Sequence, residues 1–167
     1  AGEVRAAGLG ALDALEIRAW RPSAHGEVDD RALPHEFDWL RTAVHLSKGC
    51  YRGQETVAKV HNLGHPPRRL VMLHLDGSGG ELPEPGALIT RADDAGSADA
   101  KPVGRITRVA LHYEWGGIAL ALLKRAVPED AVLEVRGPTG ERIAATQETI
   151  VPADAGRTRE VPRLPRL

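Results

Sequence analysis

The chain has 167 residues, 42% of them apolar and 27% charged, with a formal net charge of −1. That is the profile of a soluble globular chain with room for one ordinary domain or two small ones. No apolar run approaches a membrane span, no basic-then-apolar leader opens the chain, and the balanced charge argues against nucleic acid or a membrane surface as partners.

Residues 2–14 carry a weak helical pattern, and residues 15–20 alternate as a strand with Leu15, Ile17 and Ala19 on one face. A loop over residues 21–30 follows, marked by Pro22, Ser23 and Gly26. Leu33, Phe37, Leu40 and Val44 then fall at spacings of four, three and four, which predicts a helix that starts at Pro34 and ends at Lys48-Gly49. A second helix is predicted from Gln54 to about Leu63, stopped by Gly64. Pro66-Pro67 breaks any helix and marks the expected boundary between a first domain, 1–66, and a second, 67–152.

After it the period becomes two. Strands are predicted over residues 69–76, 86–91, 103–112, 118–124, 131–136 and 141–151, the third bulged near Gly104 and Arg105. The clusters Gly77-Ser78-Gly79-Gly80 and Gly137-Pro138-Thr139-Gly140 supply turns. Six short strands with frequent turns indicate a small antiparallel barrel or sandwich, so the fold class is α+β. Residues 153–167, rich in Pro and Arg, read as a tail in which Arg157, Arg159, Arg163 and Arg166 form a solvated basic run. Trp20, Trp39 and Trp115 are expected to fill or edge an aliphatic core.

The chemistry concentrates at residues 47–55. Cys50 is the single cysteine, so it makes no internal disulfide and suits a reducing, cytoplasmic location. Lys48 and Arg52 flank it and a helix begins shortly after, an environment that favours a thiolate. Over residues 47–69 the cations Lys48, Arg52, Lys59, Arg68 and Arg69 face one anion, Glu55, which suits a small anionic ligand or else a solvated face. A metal site is not expected: His61 and His65 are four apart, but Gly64 and Pro66 disrupt the helix that would align them, and no fourth ligand beside Cys50 is evident. His45, His74 and His112 read as ordinary surface or core histidines.

The run Lys48-Gly49-Cys50-Tyr51-Arg52-Gly53-Gln54-Glu55 resembles the K-G-C-[FY]-x-G-Q-E signature of the YgfZ proteins, folate-binding relatives of the aminomethyltransferases. Residues 30–36, 58–64 and 68–70 are similar to the neighbouring family segments. The resemblance implies a three-part fold whose last part is a six-stranded antiparallel β-barrel, with residues 1–66 the remnant of a folate-binding domain made of a strand and two helices. It implies tetrahydrofolate, or a folate derivative, as cofactor, and a role in synthesis or repair of iron–sulfur clusters, with iron–sulfur enzymes or assembly factors as partners. Cys50 is then the functional thiol. Glu36, Lys48, Tyr51, Arg52, Gln54 and Arg69 are the expected folate-binding residues, with Arg68 an alternative to Arg69. Glu36 reads equally as an acid complementing a helix start. The resemblance also implies an amino-terminal part or partner chain before residue 1 that completes the site. A glycine-cleavage aminomethyltransferase is the alternative activity, against which the full cysteine motif argues.

Overall fold

The computed structural model describes residues 7–94 and 100–156, so residues 2–6 of the weak helical stretch and the four tail arginines lie outside it. Helix α1 (Leu9–Arg18) opens the described chain. A 3-10 turn (Pro34–Phe37), the single helical turn α2 (Trp39–Thr42) and helix α3 (Gln54–Leu63) follow. Strands β1 (Arg68–Leu75), β2 (Leu88–Arg91), β3 (Gly104–His112), β4 (Gly116–Lys124), β5 (Leu133–Arg136) and β6 (Arg142–Thr149) complete it.

The six strands form a closed antiparallel barrel in the order β1-β4-β3-β2-β5-β6. Closure removes both sheet edges and encloses an aliphatic interior of Val71, Leu73, Ile89, Ile106, Ala121, Leu133 and Val135. A second apolar cluster lies outside the barrel wall, where Leu70, Met72, Ile118, Leu120 and Leu122 pack against Ala14, Ile17 and Phe37. Strand β4 serves both clusters, and this is why Ile118–Leu123 reads as a continuous apolar run.

Two expected elements differ. Residues 15–18 are helical, not a strand: Ala14 and Ile17, three apart, are the buried pair that seats α1 on β3 and β4. Leu15 is exposed, so the alternation of Leu15 with Ile17 was not a buried face. The expected helix from Pro34 is broken at Asp38, whose φ of 59° is left-handed. Arg108 ties α1 and the following loop to the barrel, donating to Glu16 Oε2 at 2.8 Å and to the Arg21 carbonyl at 2.5 Å.

The irregularity in β3 falls between Ile106 and Arg108, two residues beyond the expected place. The Thr107 hydroxyl there is buried and donates to the Leu120 carbonyl at 3.0 Å. Gly104 does a different job. A Cβ on it would lie 2.5 Å from both the Leu122 carbonyl oxygen and Leu123 Cδ2. Gly104→Ala is therefore expected to cost about 1–3 kcal/mol, the usual cost of overpacking, measured as a lowered urea midpoint at unchanged slope.

Candidate functional site

The loop from Ser47 to Gly53 is set by its two ends. Gly53 adopts a φ of 77°, which favours glycine, and the Gln54 N–H donates to the Tyr51 carbonyl at 3.2 Å. The chain then turns directly into α3, whose start carries no side-chain cap. The loop helps to wall a hollow of about 480 Å³, lined by Lys48, Tyr51, Arg52, Gly53 and Thr56 together with residues 30–34. Lys48 Nζ stands 5.4 Å from the centre of the Tyr51 ring. Cationic groups and a flat aromatic face thus share one concave surface.

The expected site residues divide into three groups. Lys48, Tyr51 and Arg52 line the hollow. Cys50 is exposed on the same loop and is not among the lining residues, and Gln54 is half-buried at the first position of α3. Glu36 and Arg69 are elsewhere. Glu36 is fully buried, and Arg68 grips it with two bonds, Nε to Oε1 at 3.1 Å and Nη2 to Oε2 at 2.9 Å.

Arg68 is a bridge. It also donates to both oxygens of Asp29, at 2.5 and 3.0 Å, and so ties down both ends of the 29–36 segment, of which residues 30–34 line the hollow. Its guanidinium holds the Asp29 carboxyl down at about 2, and the two carboxylates in turn raise the pKa of Arg68. Arg69, the next residue on β1, points the opposite way, as strand alternation requires. It is buried, donating from Nη2 to the Val127 carbonyl at 3.1 Å and to Gln147 Oε1 at 2.8 Å, and burial lowers its pKa. Of the two arginines considered from the sequence, Arg68 is the one that meets Glu36.

His35 lies beneath this wall, only 2% exposed, with its ring 6.0 Å from that of His61. Burial, with a smaller contribution from His61, holds its pKa down at about 4. Among the described residues, no three His, Cys, Asp or Glu side chains converge to hold a metal ion. Asp29 and Thr56 were not foreseen as site residues. Asp29 lies one residue before the family-like run at 30–36, and Thr56 one after the signature motif.

No protein-family model matches the chain. Over 101 residues, or 58% of its length, it is 34% identical to a chloroplastic "putative transferase" of Arabidopsis thaliana. The chain is similar to a transferase-like protein. The match spans 20% of that protein's length. Among the described residues, no helix is long and apolar enough to cross a membrane.

Proposed function

We propose that the chain is part of a YgfZ-type protein that binds tetrahydrofolate in the hollow beside the cysteine loop and assists synthesis or repair of iron–sulfur clusters. The observation that carries this reading is the convergence of Lys48, Tyr51 and Arg52, all from the KGCYRGQE motif, on one concave surface. The glutamate tail of folate is anionic and meets Lys48 and Arg52, while Tyr51 offers a face to a flat ring. Glu36 is held by Arg68, so in this reading it shapes the wall instead of touching the pterin. Arg69 sits within the barrel, bonded to the Val127 carbonyl and to Gln147, so in this reading it supports the barrel and leaves the anionic tail to Lys48 and Arg52. Cys50 stays exposed at the loop, where a protein client can reach its thiol.

A second reading, a folate-dependent aminomethyltransferase of the glycine cleavage type, is also in keeping with a relative named only as a transferase. It requires transfer from an aminomethyl-lipoyl partner, and a transfer assay separates the two.

Tetrahydrofolate binding is tested by calorimetry on the chain and on the same chain within its longest open reading frame. Lys48→Ala and Arg52→Ala are each expected to weaken binding about tenfold, the loss of one charge-assisted contact. Cys50→Ser is expected to leave it unchanged, since the thiol acts after binding. Absence of binding heat from both forms of the wild-type protein sinks the folate reading.

A further inference from the structure

We propose that a second binding site, separate from the hollow at the cysteine loop, lies between Trp20 and Trp39 and takes a planar heteroaromatic ring carrying a phosphate group. The chain contains three tryptophans, two tyrosines and one phenylalanine. Two of those tryptophans and the phenylalanine line one cleft of about 450 Å³, a volume that suits a small organic ligand. Phe37 and Trp39 stand with ring centres 4.8 Å apart and planes inclined at 38°, and Trp20 is 37% exposed. Arg21 and Arg41 line the same cleft with Asp38, leaving cations in excess by one.

The backbone supplies an independent observation. Among the described residues, the non-glycine residues with positive φ are Trp20 at 55° and Asp38 at 59°, and both line this cleft. Trp20 occupies the turn after α1, donating to the Ile17 carbonyl at 3.0 Å, a position where glycine is favoured because it lacks a Cβ. An indole there is costly to the backbone and only partly repaid by burial. Strain retained at a cleft wall is a mark of ligand sites. Two indoles offer stacking faces, backed by the buried Phe37 ring behind Trp39, and a guanidinium fork matches the oxygens of a phosphate. The cleft shares no lining residue with the hollow at Lys48 and Arg52, so this inference stands apart from the folate reading.

Flavin mononucleotide and adenosine monophosphate are the probes, titrated into the full chain and followed by flavin and tryptophan fluorescence. Saturable binding is expected, at least tenfold weaker in Trp39→Leu and in Trp20→Asn, where asparagine tolerates the left-handed backbone. Arg21→Ala, an exposed change, is expected to weaken flavin mononucleotide about tenfold and leave riboflavin, which lacks the phosphate, unchanged. Trp115→Leu, outside the cleft, is the control and is expected to bind as wild type. Failure of both nucleotides to bind at millimolar concentration overturns the proposal, as does wild-type affinity in Trp20→Asn and Arg21→Ala. Lys48→Ala is expected to bind flavin mononucleotide normally even where it has lost tetrahydrofolate. Displacement of flavin mononucleotide by tetrahydrofolate would merge the two sites and overturn their separation.

Discussion

Arg68→Met is expected to destabilise the fold by about 3–5 kcal/mol, the range for removing one member of a buried ion pair. The reason lies with its partner. Glu36 is fully buried, and both its oxygens are bonded to Arg68. Without the guanidinium the carboxylate stays in an apolar setting with a weak 3.4 Å contact to the Leu33 N–H. The Asp29 pairing contributes less, because that carboxylate is partly exposed. Denaturant unfolding of the single variants and of Arg68→Met/Glu36→Gln checks the account. Most of the loss is expected to be recovered in the double variant, which buries no uncompensated charge. Equal losses in the single and double variants would show that Arg68 acts through packing of its stem and not through Glu36.

The second large effect is on the acid limb of stability. His35 has an ordinary pKa of 6.5 and a folded-state value held to about 4 by burial. The folded state therefore keeps it neutral, while the unfolded chain takes up a proton on falling below pH 6.5. Between those values the unfolded state binds more protons, so stability rises with pH. It is fully present above about pH 6.5 and lost progressively down to about pH 4, by a total of about 3 kcal/mol. Glu36 and His35 lie in the same 3-10 turn, Arg68 reaches it from β1, and His61 faces it from α3. Neither ring nitrogen of His35 has a hydrogen-bond partner among the described residues, so protonation gains no bond there. His35→Leu is expected to flatten unfolding free energy between pH 4 and 6.5 while leaving the Asp29 loss below pH 4. A limb of unchanged slope in that variant would assign the titration to another group.

The barrel was legible because its strands alternate and its turns carry Gly, Pro and Ser. All six strands lie within or close to the intervals that period and punctuation predict. The layer outside the barrel was harder to see. Residues 15–20 fit a strand by alternation and a helix by the Ala14–Ile17 spacing, and only packing on β3 and β4 decides. The stripe from Leu33 to Val44 has helical spacing, yet one left-handed residue, Asp38, divides it, and apolar spacing carries no sign of that.

At the site, the eight-residue motif drew attention to a loop that does wall a hollow. Which of Arg68 and Arg69 meets Glu36 could not be read, because β1 is apolar on both faces and alternation leaves the inward side undetermined. The aromatic cleft was missed for a related reason. Trp20, Phe37 and Trp39 line one cleft only because α1 ends at Arg18, just before the turn at Trp20, and the chain reverses at Asp38.

Strand β1 shows Val71, Leu73 and Leu75 to one apolar cluster and Leu70 and Met72 to the other, and it begins directly after Pro66-Pro67. The chain is therefore poorly suited to exchange of parts by recombination at that point. A barrel transplanted without residues 9–37 would carry a greasy flank, and residues 9–37 transplanted alone would have nothing to rest on. Successive residues of β1 and β4 answer to opposite sides of the wall, so a shift of either strand by one residue would exchange the two clusters.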